Sequence, residues 1–245
     1  MTEASPADIA KNAAAEAAVA LVEDGMRLGL GTGSTAVFMV RRLAERVKAE
    51  GLTLRCAATS KSTAELAESL GLRIEALDEI GWLDLTLDGA DEVDPDLNLI
   101  KGAGGALLRE KIVAMASDRM VVMADGSKVV DVLGAFHLPV EVIEFGWQTT
   151  QALIARVLDE QGLDHRPILL RQSDDAAYRT DEGNLILDLA LERIEDPARL
   201  SAALNAIPGV VENGLFLHIC DLAIIGRPDG SVAELTAEGS EEEVE

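Results

Sequence analysis

A chain of 245 residues, 48% of them hydrophobic, can bury a substantial core as one large domain or two modest ones. Its 44 acidic against 21 basic residues give a net charge of -23, which argues against nucleic acid and anionic membrane surfaces as partners. Only 3% of the residues are aromatic, a composition that suits a helix-and-strand enzyme better than an all-β protein.

Pro6 and Asp8 open a helix that carries Lys11 and ends near Gly25. Glu16 and Glu23 interrupt its apolar residues, and nowhere does the chain reach the ~18 uninterrupted apolar residues of a membrane span. Residues 26–30 read as a short buried strand that runs into Gly31-Thr32-Gly33-Ser34-Thr35-Ala36 and then a helix to about Glu50. Strand, glycine loop and helix together make a phosphate-binding arrangement, because free backbone N–H groups and the positive helix start face the loop. The hydroxyls of Ser34 and Thr35 suit a single phosphate. Gly31, Gly33 and Ala36 also fit a loose dinucleotide pattern, but the acid that should follow about 20 residues later to hold a ribose is missing. The next strand, 52–58, leads instead into Thr59-Ser60-Lys61-Ser62-Thr63, so no dinucleotide cofactor is expected; a tight turn that merely packs helix on strand is the other reading.

A helix over 63–70 and strands over 73–77 and 83–87 continue the alternation of a parallel α/β sheet. The last strand ends in Asp88-Gly89-Ala90-Asp91-Glu92-Val93-Asp94-Pro95-Asp96, which places Asp88 and Asp91 outside a strand C-terminus, where open α/β sheets bind ligands. Five acids in nine residues could also hold calcium or simply be solvated, yet the spacing is not that of an EF-hand loop. His137, His165 and His218 have no metal-ligand spacing, and no metal site is expected.

Lys101-Gly102-Ala103-Gly104-Gly105 frees the backbone to turn tightly beside a ligand, and the residues after it form a helix with Leu108, Ile112 and Met115 as an apolar stripe. Glu110 lies on that helix between Leu107 and Ala114. A carboxylate in apolar surroundings holds its proton more tightly, which suits a base that takes and returns a proton near neutral pH; a solvated glutamate beside a plain glycine turn is the alternative. Residues 120–124 form a strand ending in Asp125-Gly126-Ser127-Lys128. All six lysines lie at or before Lys128, and four of them (Lys11, Lys101, Lys111, Lys128) sit in or beside these loops, where they could form a positive patch for an anionic ligand. Scattered surface lysine is the alternative.

Beyond Leu133 the pattern becomes strand 138–145, helix 150–161, strands 167–171 and 185–191, helix 197–207 and strand 210–218. That βαββαβ order predicts a smaller ferredoxin-like α+β domain, residues 133–219, inserted in a Rossmann-like parallel-sheet domain of residues 1–132 and 220–232. Residues 222–225 return to the main sheet, and 233–245 is an acidic tail that reads as disordered. Cys56 and Cys220, far apart and without a CxxC spacing, read as buried thiols of a reducing cytoplasm.

Taken together, these loops resemble the ribose-5-phosphate isomerase A family from near the start of the chain to about Gly230. The matching pieces are Gly31-Thr32-Gly33-Ser34-Thr35, Asp88-Gly89-Ala90-Asp91-Glu92, Lys101-Gly102 through Arg109-Glu110-Lys111, Asp125 to Lys128, Leu138-Pro139-Val140-Glu141-Val142, and Ile207-Pro208-Gly209-Val210-Val211 with Asn213-Gly214-Leu215-Phe216. Ala103 departs from the family's all-glycine run, and a methyl group is tolerated there if φ stays below zero. The resemblance implies interconversion of D-ribose 5-phosphate and D-ribulose 5-phosphate, a step of the non-oxidative pentose phosphate pathway, without metal or organic cofactor and in a homodimer or homotetramer.

By the same similarity Glu110 is the general base that moves a proton between C2 and C1 through an enediolate. Asp88 opens the sugar ring or moves protons between oxygens, Lys101 with nearby backbone N–H groups steadies the enediolate oxygen, and Asp91 positions hydroxyls or Lys101. Lys11, Ser34, Thr35 and Lys128 match phosphate-binding positions, and Thr32, Gly33, Gly89, Ala90, Gly102, Ala103 and Gly104 complete the expected substrate wall. Two other readings remain at this point. One is a coenzyme A transferase, which uses a glutamate beside a glycine loop as nucleophile; the other is a sugar-phosphate sensor without chemistry, although no basic helix-turn-helix segment accompanies it.

Overall fold

A computed structural model describes residues 5–237 and the backbone of 242–243. In chain order it contains α1 (Pro6–Ala20), β1 (Arg27–Leu30), α2 (Ser34–Glu50), β2 (Arg55–Ala58), α3 (Lys61–Ser69), α4 (Leu77–Ile80), β3 (Leu85–Gly89), β4 (Glu92–Val93), β5 (Leu99–Ile100), α5 (Leu107–Met115) and β6 (Met120–Asp125). A short 3-10 turn, Gly126–Lys128, follows, and then β7 (Leu138–Val142), α6 (Trp147–Glu160), β8 (Ile168–Leu170), β9 (Gln172–Ser173), β10 (Ala176–Ala177) and β11 (Leu185–Leu189). The chain closes with α7 (Pro197–Asn205), β12 (Val210–Asn213), β13 (Leu215–Phe216), β14 (Leu222–Gly226), β15 (Val232–Leu235) and β16 (Glu242–Glu243).

Five parallel strands in the order β2-β1-β3-β6-β14 form the main sheet, and β15 and β16 add antiparallel at the β14 edge. Helix α1 starts at Ser5, whose hydroxyl accepts the Asp8 N–H, with Pro6 in the first turn where a missing N–H costs nothing. Its inner face is Ala10, Ala14, Ala15, Ala18 and Val19, small residues that let it lie close to the sheet beside α2. The helix stops at Ala20 rather than near Gly25, because the N–H groups of Leu21 and Val22 bond back three residues instead of four. Of the tail expected to be disordered over 233–245, residues 233–235 instead belong to β15, held by antiparallel pairing with β14, and residues 238–245 lie outside the described residues except for the β16 backbone.

The sheet order β12-β7-β11-β8, antiparallel throughout, is that of a ferredoxin-like βαββαβ unit, with α6 and α7 supplying the helical crossovers. Its core is aliphatic, built on Val140, Ile154, Leu187 and Leu200. Three further sequence expectations change. Residues 73–77 form only a one-residue bridge, Ile74 to Cys56, before α4 turns Ile80 into a small core with Ala57, Leu83 and Val113. The strand expected over 210–218 breaks at Gly214: β12 stays with β7, whereas β13 crosses to β5 in a separate three-stranded sheet, β13-β5-β4. A Cβ at Gly214 would stand 2.4 Å from the Lys101 carbonyl, so only glycine passes this crossing. Finally, α5 buries Leu107, Glu110, Val113 and Ala114, while Ile112 and Met115 of the expected stripe are exposed. Leu107 docks on the glycine turn through Gly102 and sets the rotation of the helix, and this brings Glu110 inward.

Candidate active site

The carboxyl ends of β1, β3 and β6 open on one side of the main sheet, and each releases a loop there: 31–33, 89–91 and 126–128. Between them and the 101–105 turn lies a cavity of about 240 Å³. Thr32, Gly33, Ser34 and Thr35 line one wall, Gly89, Ala90 and Asp91 a second, and Gly102, Ala103 and Gly104 a third. Lys11, Lys101, Glu110 and Lys128 complete it. Every expected substrate-wall residue therefore stands around one cavity, and so do three of the four expected catalytic residues. Asp88 does not line it.

Asp88 belongs to β3 itself, not to the loop beyond, and is fully buried. Its Oδ1 accepts the N–H groups of Thr32 (3.1 Å) and Gly89 (2.7 Å), which ties the first two walls together. A Cβ at Gly31 would sit 2.0 Å from that oxygen, so the glycine is required for the carboxylate to reach the loop. Oδ2 of Asp88 is 2.9 Å from Lys101 Nζ, which also donates to the Gly89 carbonyl at 2.6 Å. Lys101 extends from the end of β5, held by its own N–H on the Gly214 carbonyl, and is 2% exposed. The Phe216 ring, 5.4 Å from Nζ, closes its apolar side. Burial works against the ammonium, but Asp88 and Glu110 outweigh it and hold the Lys101 pKa above its ordinary value.

Glu110 sits in the first turn of α5 and is 3% exposed. Its Oε1 lies 3.4 Å from Lys101 Nζ, and Oε2 is buried without a donor among the described residues. Burial, reinforced by the charges of Asp88 and Asp91 and opposed by Lys101, pushes its carboxyl up to about 8. A buried acid with one free oxygen, an ammonium on the other and a pKa near neutrality can take a proton from a neighbouring carbon and return it.

At the other end of the cavity Lys11 Nζ donates to Ser34 Oγ at 3.0 Å. Helix α2 starts there with no side-chain cap on its first N–H groups, at Gly33, whose φ of +115° suits only glycine. Lys128 approaches from the 3-10 turn, which Asp125 caps through the Ser127 N–H at 2.9 Å. Lysines, hydroxyls and an open helix start together suit an anion. Lys111, expected in the same patch, turns the other way: its ammonium meets Glu212 at 2.9 Å and the Asn213 carbonyl at 2.7 Å.

Other expectations resolve locally. Asp91 accepts the Ala103 N–H at 2.8 Å and so fixes the glycine turn, while its charge also favours the Lys101 ammonium. Within that turn Gly102 and Gly105 have positive φ and Ala103 does not, so its methyl group is accommodated. The acids after Asp91 serve the backbone: Glu92 accepts the N–H groups of Gly134 and Phe136, and Asp94 those of Asp96 and Asn98. Among the described residues no group of three or more His, Cys, Asp or Glu is placed to hold a metal ion, and no helix is long and apolar enough to cross a membrane.

Two supporting sets escaped the sequence reading. The hydroxyls of Thr59 (2.7 Å), Ser60 (2.8 Å) and Thr63 (3.1 Å) surround Thr32 Oγ1; the run 59–63 shows them in sequence, but not where they point. Arg171 and Tyr178, from the connection between β8 and β11, bond the carbonyls of residues 102–104. No local pattern signals a partner about 70 residues away.

The family profile described as ribose 5-phosphate isomerase A (phosphoriboisomerase A) matches residues 55–230. The ribose-5-phosphate isomerase A of Dinoroseobacter shibae is 62% identical over 230 residues, covering 94% of this chain and 88% of that protein. The solved structure of ribose 5-phosphate isomerase A from Methanocaldococcus jannaschii superposes with a TM-score of 0.85 at 39% identity, over 95% of this chain and 100% of that one. A D-ribose-5-phosphate isomerase solved in complex with phospho-erythronic acid superposes at 0.84 with 37% identity, over 92% and 97%. A profile match over residues 55–230 and a relative 62% identical across 94% of this chain place the chain in the ribose 5-phosphate isomerase A family.

Proposed function

We propose that this chain interconverts D-ribose 5-phosphate and D-ribulose 5-phosphate through an enediolate, with Glu110 as the base that serves both carbons. The observation that carries this reading is the buried Glu110–Lys101 pair at 3.4 Å, set in a cavity whose other end is an anion site. With the phosphate held by Lys11, Ser34, Thr35, Lys128 and the start of α2, binding energy remote from the reacting carbons orients C1 and C2 against Glu110. Glu110 takes the C2 proton; the electron pair forms the C1–C2 double bond, and the former aldehyde oxygen becomes negative. The Lys101 ammonium, fixed in place by Asp88, steadies that charge without reorganising. Glu110 then returns the proton to C1 while the proton of the C2 hydroxyl passes to the C1 oxygen. Asp88 takes part in that transfer through Lys101 Nζ, 2.9 Å away, because it is itself walled off from the cavity.

No metal or organic cofactor enters this scheme: the ammonium supplies the positive charge. A pure binding module has no use for a carboxyl held near neutrality beside a buried ammonium, and so the sensor reading is not favoured. The residues 1–132 with 220–232 would form the catalytic unit and 133–219 the smaller domain. Exposed Trp82, Ile112, Met115 and Phe145 favour self-association into a homodimer or homotetramer. Cys56 and Cys220, buried and free with thiols pushed up to about 12 by burial, suit a reducing cytoplasm.

Incubation with ribose 5-phosphate in D₂O containing EDTA should place deuterium at C2, and Glu110→Gln should abolish that exchange while the phosphate still binds. Wild-type turnover in the Gln variant would overturn the assignment of the base.

A further inference from the structure

The 101–105 turn is gripped from behind by the small domain. Arg171 Nη1 donates to the carbonyls of Gly102 (2.7 Å) and Ala103 (3.0 Å), and Tyr178 Oη donates to that of Gly104 (3.1 Å). The rest of the Arg171 guanidinium is locked, Nε on Asp188 Oδ2 at 2.9 Å and Nη2 on Oδ1 at 2.5 Å, a two-pronged contact that fixes its plane. Neither Arg171 nor Tyr178 lines the cavity.

Because a trans peptide is planar, its C=O and N–H point in opposite directions, and holding the carbonyl aims the N–H. Three consecutive peptides are held in this way. In the first, the N–H of Ala103 ends on Asp91; in the third, the N–H of Gly105 ends on the Gly102 carbonyl. In the middle one, the N–H of Gly104 has no acceptor among the described residues, and Gly104 is part of the cavity wall. Gly105 has a φ of +75°, and a Cβ there would lie 2.3 Å from Tyr178 Oη, so the glycine is what lets the tyrosine in.

We propose that Arg171, oriented by Asp188 and assisted by Tyr178, is a positioning residue for the isomerisation: it presents the Gly104 N–H to the sugar oxygen that becomes negative. This rests on the reading of Glu110 and Lys101 given above. Lysine cannot replace it, since one ammonium cannot hold a carboxylate fork and two carbonyls in a fixed plane.

The test compares Arg171→Lys, Arg171→Ala and Tyr178→Phe with the wild type. Deleting an oxyanion donor outright costs about 10²- to 10³-fold in kcat, so misaiming one by Arg171→Lys or Arg171→Ala should cost about 10- to 100-fold, and Tyr178→Phe less. KM for ribose 5-phosphate should stay within about threefold, because the phosphate grip is untouched. Affinity for phospho-erythronic acid, whose planar carboxylate resembles the enediolate oxygens, should fall in step with kcat, while affinity for inorganic phosphate should not. Dilute guanidinium should restore part of the kcat of Arg171→Ala, and methylammonium should not. Unchanged kcat in both Arg171 variants would overturn the proposal; so would a loss that guanidinium leaves unrestored and that weakens phosphate binding in parallel, which is the mark of a merely structural role. Tyr178→Phe, which removes one half-buried hydroxyl, keeps the test open if the Arg171 variants fold poorly. An inactive Glu110→Gln beside fully active Arg171 variants would refute only this inference, whereas an active Glu110→Gln would refute the site reading beneath it.

Discussion

Replacing Lys101 with methionine separates two jobs that the proposed mechanism gives to one ammonium. At 3.4 Å from Glu110 Oε1, and with an effective dielectric of about 20, its attraction for the carboxylate is about 5 kcal/mol. Asp88, 2.9 Å from the same nitrogen, loses that cation too and takes up a proton more readily, which offsets part of this, and a remainder of only about 1.4 kcal/mol is one pKa unit. The Glu110 carboxyl, at about 8 in the wild type, therefore rises to about 9 or higher when the cation is removed. Since the base must be ionised to act, its active fraction at pH ~7 drops from about one-tenth to about one-hundredth or less. Loss of the charge that faces the enediolate costs a further ~10²- to 10³-fold at every pH.

The expected deficit in kcat/KM is thus about 10³- to 10⁴-fold near neutrality and about ten times smaller at high pH, where the variant's glutamate is ionised as well. For the wild type, kcat/KM should climb about tenfold per pH unit below ~8 and level off above it. Initial rates of ketose formation measured from pH ~6 to ~10 give both curves. If the ratio of wild type to variant were constant across that range, Lys101 would not be setting the ionisation of Glu110, and the electrostatic argument would be wrong.

Lys128→Ala should raise KM for ribose 5-phosphate more than it lowers kcat, while the slow turnover of phosphate-free ribose stays unchanged; an equal effect on both sugars would remove Lys128 from the phosphate site. Gly31→Ala forces a methyl group to within 2.0 Å of Asp88 Oδ1 and 2.6 Å of its Cα, too close for a side-chain rotation to relieve. Such overpacking costs about 1–3 kcal/mol or more, so thermal unfolding should show lower stability along with lost turnover, and wild-type stability with full activity would contradict the packing seen here.

The legible part of the site was the part written in contiguous residues. Glycines before a helix, a lysine before a glycine turn, and an acid inside an apolar run each carry their chemistry in local spacing, and the fold places all of these around one cavity. Less legible was the direction in which side chains point. The stripe Leu108-Ile112-Met115 has good helical spacing, yet α5 turns Ile112 and Met115 outward, because the fit of Leu107 against Gly102 decides the rotation. Lys111 looked like its neighbour Lys101 in sequence, but it reaches Glu212 and leaves the cavity.

The alternation of the main strands and helices, the ferredoxin-like pairing of the smaller sheet and the identity of the polar groups follow from the sequence, since periodicity, glycine placement and residue chemistry act over a few residues at a time. Only the tertiary structure decided that Asp88 lies within β3 beneath the cavity, that Glu110 loses its water, and that Arg171 and Tyr178 hold the glycine turn from behind. Desolvation and long-range hydrogen bonds belong to the packed assembly of elements, and the strength of a buried charge depends on everything that has displaced water around it.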